Sequence, residues 1–304
     1  MHQLLPAVFE PGFFTSPQVH VAASIGAIVA VVSAVTGVFT VMRGQSFAGH
    51  ALGDVSAAGG SGALLLGLTP LPGFVGAGIA GAGVMDMIGV QRLRGRDLAT
   101  GIVLGAAIGG SALFLYLGTT SGSTTGATQQ ILFGSIFTTT PATVTALGAL
   151  ALASIAAIAR PLLLTTLSPD IAVARGVPVR IVGLLFMLAL AVSVGLSALA
   201  IGAILSTALL IGPAAAALRL TKTLPWAIVI ACLTGVAATW LGVLLAYDSY
   251  YWWSPPQGLP VSFFIVAIIF ATYLASGLPA ARAARHQPTA MPVAAAADRD
   301  GIAA

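Results

Sequence analysis

Long apolar runs recur along the whole chain and constrain its fold more than any other feature. Each run is about 17 to 25 residues long, the length that a helix needs to cross the hydrocarbon core of a bilayer. The runs lack the two-residue alternation of a transmembrane barrel strand. Only 7% of the residues are charged, against about a quarter in soluble domains. Because backbone amides in lipid must be satisfied within the segment, the sequence predicts an all-α polytopic membrane protein.

The apolar runs predict about nine transmembrane helices, within a range of about 8 to 10. Residues 1–20 are expected to form an extracytoplasmic or interfacial segment, 21–283 the transmembrane domain, and 284–304 a disordered cytoplasmic tail. Residues 119–130 are expected to form a solvated linker. The predicted spans are 21–42, 46–68, 73–90, 98–118, 141–159, 181–197, 200–218, 224–246 and 262–278.

The basic residues predict the orientation of the chain. If the N-terminus lies outside, all 12 Lys and Arg residues fall on the inner side, as the positive-inside rule requires. The outer segments then hold Glu10 and Asp248, and the C-terminus is cytoplasmic. This bias accounts for the net charge of +4 without a nucleic-acid partner. Cys232 stands alone in an apolar run and is expected to pack there, so no disulfide framework is predicted.

Two ionisable residues, His50 and Asp54, fall inside the second predicted span. Their four-residue spacing places both side chains on one helix face. With a rise of 1.5 Å per residue, Asp54 lies about 16 Å from Arg43, near the middle of the bilayer. A carboxylate at that depth costs a few kcal/mol unless it is paired or faces water. The pair therefore either braces a helix interface by mutual neutralisation or, as we favour, lines a cation pathway.

Two side chains do not complete a metal site, since zinc takes about four ligands and manganese about six. The others would come from further helices, a second subunit or water. The glycines around the pair either allow close helix packing or leave room for an ion. Asp86 lies near an inner boundary, where we expect a structural role and an approach to Arg92 or Arg94.

The inner segment 159–180, ARPLLLTTLSPDIAVARGVPVR, is predicted to contain a short helix. Ser168 suits its N-cap, Pro169 its first turn and Gly176 its end. A helix that lies on lipid is strongly basic, whereas this one carries mixed charges. The segment is therefore expected to dock into a soluble partner.

Four motifs occur along the chain in the following order: MRGQSFAGHALGDVSAAGG, RLRGRDLATGIVLG, LSPDIAVARGVPV and IGAILSTALLIGPAAAALRL. With them the chain resembles, from about residue 20 to residue 283, the membrane permease subunit of bacterial ABC importers for zinc and manganese. The resemblance implies that the inner segment is a coupling helix which inserts into an ATPase subunit. Asp170, Ala174, Arg175 and Gly176 would make that contact.

The resemblance also implies partners and a cargo. Two copies of the chain would form the pathway in the bacterial plasma membrane, bind a cytoplasmic ATPase dimer, and receive metal from an extracytoplasmic metal-binding protein. Zn²⁺ or Mn²⁺ would be transported, and no permanently bound cofactor is expected. The chain itself is not expected to hydrolyse ATP, because its one lysine, Lys222, follows no glycine-rich loop.

The sequence departs from the family pattern at two places. The second helix of the family carries Asp, three residues, then His, whereas here His50 precedes Asp54. Ser135 stands where the family has an acidic residue. Zinc, manganese and iron therefore all stay open as cargo.

The alternatives are a permease for chelated iron or cobalamin and a stand-alone secondary transporter, whose inverted repeats are not evident. An intramembrane metalloprotease would need an H-E-x-x-H motif, which is missing.

Overall fold

A computed structural model describes residues 13, 16–88, 96–120, 126–134, 140–250, 252 and 258–285, and these residues form helices and no strand. The helices are α1 Pro17–Met42, α2 Ser46–Leu65, α3 Pro70–Ile88, α4 Arg96–Thr120, α5 Ala127–Phe133, α6 Pro141–Leu167, α7 Pro169–Ala174, α8 Val179–Ile201, α9 Ala203–Leu220, α10 Leu224–Ser249 and α11 Val261–Arg285.

The predicted all-α membrane fold is confirmed. All the predicted spans overlap long helices, and six helical segments of the described chain are long and apolar enough to cross a membrane. The shorter apolar segments Leu205–Leu220 and Val261–Gly277 lie in α9 and α11. Helix α2 is not among the six, and it carries His50 and Asp54. The number of spans and the orientation of the chain stay predictions.

The helices divide into a centre and a periphery. Within its most apolar window α8 is 83% buried and α1 67% buried, whereas α4 is only 11% buried. A helix that is apolar on every side belongs either in a core or in lipid. The centre of the bundle is therefore built on α8 and α1, and α4 presents most of its surface outward.

Glycines allow α2 and α3 to touch through their backbones. A β-carbon at Gly59 would overlap the carbonyl oxygen of Gly73, and one at Gly73 would overlap that of Gly59. A β-carbon at Gly49 would press on the side chain of Leu210 in α9. Helices in lipid associate through such small residues. Of the two roles considered for the glycines near His50, close packing is the one that the structure shows at these positions.

Two connections contain more helix than the sequence suggested. Residues 159–167 continue α6 as a helix through Pro161, where the sequence suggested that the span had ended. The expected linker 119–130 contains the end of α4 and the start of α5, whose Ile131 is fully buried. Gly134, with φ of 80°, follows α5 and packs against the backbone of Gly202, which separates α8 from α9. This backbone contact holds the end of α5 against the junction between α8 and α9.

Candidate cation pathway and coupling helix

His50 and Asp54 lie one turn apart on α2, and their side chains face each other. The distance from His50 Nε2 to Asp54 Oδ2 is 3.7 Å. On its other side the imidazole contacts α9, where His50 Nδ1 lies 2.8 Å from the hydroxyl oxygen of Thr207. The sequence predicted the shared face of His50 and Asp54, and the structure adds Thr207 as a third polar member.

The pair lies at the edge of the helix bundle, partly open to its surroundings. The side chain of His50 is 38% exposed and that of Asp54 is 16% exposed. Asp54 Oδ2 itself is buried and accepts no hydrogen bond from the residues that the structure describes. An unsatisfied carboxylate oxygen at membrane depth is costly. The oxygen is therefore suited to accept a cation.

The hydrogen bond to Thr207 determines which atoms a cation can meet. When His50 Nδ1–H donates to Thr207 Oγ1, the Nε2 lone pair is directed to the side where Asp54 Oδ2 lies. Two ligand atoms about 2.1 Å from a tetrahedral ion are about 3.4 Å apart. The observed 3.7 Å is close to this separation. The nitrogen and the oxygen can thus bind one ion with little movement of α2.

One chain supplies only part of a metal site within the described residues. No group of three or more His, Cys, Asp or Glu side chains in that part of the chain could hold a metal ion. Ser135, which departs from the family pattern, lies outside the described residues. The missing ligands stay assigned, as a prediction, to water or to a second subunit.

The predicted inner helix is present as α7, Pro169–Ala174. Ser168 occupies its N-cap, as predicted, but its hydroxyl makes no capping hydrogen bond. Gly176 ends the helix with φ of 75°. The amides of Gly176 and Val177 donate to the carbonyls of Val173 and Ala172, at 2.9 and 3.0 Å. These two bonds form a Schellman motif, which requires the left-handed residue that glycine supplies.

The surface of α7 combines apolar and charged groups. Ile171 is 49% exposed and Val173 is 64% exposed, while Ala172 is buried against the bundle. Asp170 and Arg175 are also exposed. Exposed apolar side chains flanked by charges are typical of a surface that another protein covers. The structure thus gives the coupling residues predicted from the resemblance an accessible position.

Comparison with known proteins identifies the family of this chain. The model of the ABC 3 transport family matches residues 16–278. The chain belongs to the ABC 3 transport family. This membership confirms the predicted resemblance to ABC permeases, which are transport subunits. Together with the apolar helices, it also supports the predicted multi-pass location in the plasma membrane.

One sequence relative agrees with this assignment, and two solved structures share the fold. The chain is 31% identical over 226 residues to the manganese transport system membrane protein MntC of Halalkalibacterium halodurans, covering 73% of this chain and 76% of the relative. Its fold is similar to PsaBC from Streptococcus pneumoniae in complex with Fab, with a TM-score of 0.74, 24% identity, and coverage of 88% and 93%. A putative metal-chelate type ABC transporter in an inward-facing conformation has a TM-score of 0.68 at 15% identity, with 88% of each chain covered.

In this ABC 3 family permease, Arg43 joins the turn before α2 to the helices on either side of α7. Arg43 Nη1 lies 3.2 Å from the hydroxyl oxygen of Thr165 and 3.3 Å from that of Thr166, in the last turn of α6. The guanidinium also lies over the ring of Phe186 in α8, 5.3 Å from its centroid. Arg43, in the turn before the helix that carries His50, therefore contacts both helices that flank α7.

Asp86 makes a second ionic link in the permease. Its Oδ2 lies 3.7 Å from Nε of Arg180, at the start of α8. The expected partners Arg92 and Arg94 lie outside the described residues. The ion pair fits the structural role that we expected for Asp86, because it ties the end of α3 to the segment that follows α7.

Sequence reasoning missed Thr207 and Arg43 as parts of these networks. Thr207 stands within the motif IGAILSTALLIGP, but it is 157 residues from His50, and one sequence gives no signal for that pairing. The sequence offered only an indirect signal for Thr207: it is one of the few hydroxyl residues in the otherwise mostly apolar helix α9.

Proposed function

We propose that this chain is the permease subunit of an ATP-driven importer of a divalent transition metal ion, zinc or manganese. The observation that carries the proposal is the pair of His50 and Asp54, whose ligand atoms lie 3.7 Å apart on helix α2 of an ABC 3 family chain. The relative MntC is a manganese transport system membrane protein, and this similarity supports a metal as the cargo.

The chemistry of the pair supports a borderline cation. An imidazole nitrogen and a carboxylate oxygen suit zinc and manganese equally, and no thiolate lies in the candidate site to favour a softer ion. The exchanged order of His50 and Asp54 keeps both ligand types on one helix face, since positions four apart are neighbours in either direction. The exchange therefore preserves the pathway.

A second copy of the chain would complete the ligand set. The side chain of His50 is 38% exposed on α2, and ionisable side chains at membrane depth face protein or water in place of lipid. A twofold axis beside α2 would bring together two His50 and two Asp54 side chains. Four such ligands satisfy a tetrahedral zinc ion, and added waters satisfy manganese.

Helix α7 would transmit the energy for transport. Asp170, Ala174, Arg175 and Gly176 would contact a cytoplasmic ATPase subunit, and closure of an ATPase dimer would move α7. An extracytoplasmic metal-binding protein would deliver the ion, and alternating access would release it inside. ATP hydrolysis would occur in the partner subunits. Arg43 and Asp86 would carry the movement of α7 to α1 and α3, through the contacts described above.

Metal uptake by proteoliposomes tests the proposal. The chain is reconstituted with its ATPase and its metal-binding protein, and uptake of Zn²⁺ and Mn²⁺ is measured for the wild type, His50→Gln and Asp54→Asn. We expect both variants to lose most of the uptake. His20→Gln, at the outer end of α1, is the matched control and should transport normally. Wild-type uptake by both pathway variants would refute the pathway, and uptake of a metal chelate alone would refute the cargo.

A further inference from the structure

Two grooves on the surface of α6 meet at Arg160. The first, of about 450 Å³, runs between α1, α6 and α10, and Val35, Ile155, Ala156 and Ile228 are among its lining residues. The second, of about 500 Å³, runs along α6 towards α7. Arg160 and Leu163 line both grooves. Together they form one continuous surface from the membrane-facing side of α6 to the base of the coupling helix.

The charged groups of these grooves have no partner in the part of the chain that the structure describes. Arg160 and Arg175 both line the second groove, and neither guanidinium group makes a hydrogen bond or ion pair with a described residue. No carboxylate lines either groove, and Asp170 on α7 lies outside both linings.

Three other arginines are engaged by the protein itself. Arg43 contacts Thr165 and Thr166, Arg180 contacts Asp86, and Arg219 contacts Tyr273. The guanidinium groups of Arg160 and Arg175 are therefore available to an anion from outside the chain.

The shape of the surface specifies what kind of anion fits. The first groove is lined by apolar side chains of three membrane helices, apart from Arg160 at its end. A soluble protein partner cannot enter a groove at membrane depth, whereas an acyl chain can. Basic pockets between membrane helices on the cytoplasmic side are suited to anionic lipid headgroups, and arginine binds phosphate with paired hydrogen bonds.

We propose that this surface is a binding site for an anionic phospholipid of the inner leaflet. The phosphate lies between Arg160 and Arg175, and one acyl chain fills the groove between α1, α6 and α10. The lipid thus holds the end of α6 at the base of α7. The proposal concerns the helix surface beside α7 and does not depend on which ion the pathway carries.

Native mass spectrometry of the full chain, purified with the subunits that accompany it, tests the site. The probes are phosphatidylglycerol and phosphatidylcholine with identical acyl chains. We expect selective retention of phosphatidylglycerol, and Arg160→Gln should reduce it about fivefold, equivalent to about 1 kcal/mol. Arg180→Gln removes an equal charge outside the grooves and should retain the lipid as the wild type does. Arg175 is left unchanged because it is also a predicted ATPase contact.

A second variant tests the acyl-chain groove. Ala156→Trp fills an exposed position of the first groove and leaves Arg160 in place. We expect it to lose phosphatidylglycerol as well, with an unchanged melting temperature, and excess inorganic phosphate should not displace the lipid from the wild type. Equal retention by Arg160→Gln and wild type, equal losses in Arg160→Gln and Arg180→Gln, or displacement by inorganic phosphate would each overturn the proposal.

Discussion

At the scale of single residues, the candidate pathway is a three-part contact between α2 and α9. Asp54 contributes a carboxylate oxygen, His50 an imidazole nitrogen, and Thr207 the hydroxyl that holds the ring. A side chain that orients a metal-binding histidine determines which nitrogen faces the ion. The role of Thr207 is therefore testable apart from that of the ligands.

Thr207→Val should lower metal affinity about 10- to 100-fold, because His50 loses the group that holds its ring. Thr207→Ser keeps a hydroxyl and should bind metal nearly as well as the wild type. Metal titration of the purified chain measures both. If Thr207→Val bound metal like Thr207→Ser, the hydroxyl would have no part in positioning His50.

Arg43 is the second residue for which the structure makes a clear prediction. Arg43→Ala removes its hydrogen bonds to Thr165 and Thr166 and its contact with Phe186. Because hydrogen bonds to charged groups contribute about 1.5 to 3 kcal/mol, the variant should have a lower free energy of unfolding by about that amount. Lys222→Ala removes an exposed cation and serves as the control in a denaturation experiment. Equal stability of the two variants would contradict the bridging role of Arg43.

At the scale of helices, the long helices and α7 could be predicted from the sequence, whereas α5 and the contacts between distant residues could not. The apolar runs predicted all the long helices, because length and hydropathy are local properties of the chain. The bounds of α7 also followed from local chemistry, with Pro169 at its start and Gly176 at its end. Helix α5 was missed because it is only seven residues long and begins in a polar segment, and because its neighbour Gly134 contacts Gly202, which lies far along the sequence. Pairings such as that of His50 with Thr207 could not be predicted for the same reason.

The packing of α2 against α3 gives a prediction with a matched control. Gly59→Ala should destabilise the fold by about 1 to 3 kcal/mol, because the added methyl group overlaps the backbone of Gly73. Gly76→Ala, also on α3, meets no atom within 4 Å and should leave stability nearly unchanged. Thermal unfolding in detergent compares them. Two equally stable variants would show that the glycine contact does not determine the α2–α3 packing.

Helix α7 gives a prediction about assembly. Arg175→Glu reverses the charge of an exposed residue at the end of α7 and should abolish co-purification with the ATPase subunit. Arg180→Glu introduces the same charge beside Asp86, beyond the predicted contact, and should still recover the ATPase. Recovery of the ATPase by Arg175→Glu would show that α7 does not dock in the proposed way.

At the scale of the whole molecule, the low charge content indicates that lipid surrounds the fold, and the basic residues predict its orientation in the membrane. The 12 Lys and Arg residues predict an outer N-terminus and a cytoplasmic C-terminus. A test of this orientation requires the side of the membrane on which each loop lies. Labelling with a membrane-impermeant reagent supplies that information.

A single cysteine placed at Lys222 tests the orientation. Cys232 is the one cysteine of the chain, so a Cys232→Ser background leaves only the introduced thiol. Lys222→Cys should react in inside-out vesicles and stay unlabelled in intact cells, whereas Tyr250→Cys, at the opposite end of α10, should show the reverse. Labelling of Lys222→Cys from outside the cell would contradict the predicted topology.

The central claim is that a divalent metal ion passes between His50 and Asp54. Electron spin-echo spectroscopy of the Mn²⁺-loaded transporter tests it most directly, because the method detects an imidazole nitrogen bound to the ion. We predict a nitrogen coupling in the wild type and in His20→Gln, and its loss in His50→Gln. A nitrogen coupling that persists unchanged in His50→Gln would place the ion elsewhere and contradict the account.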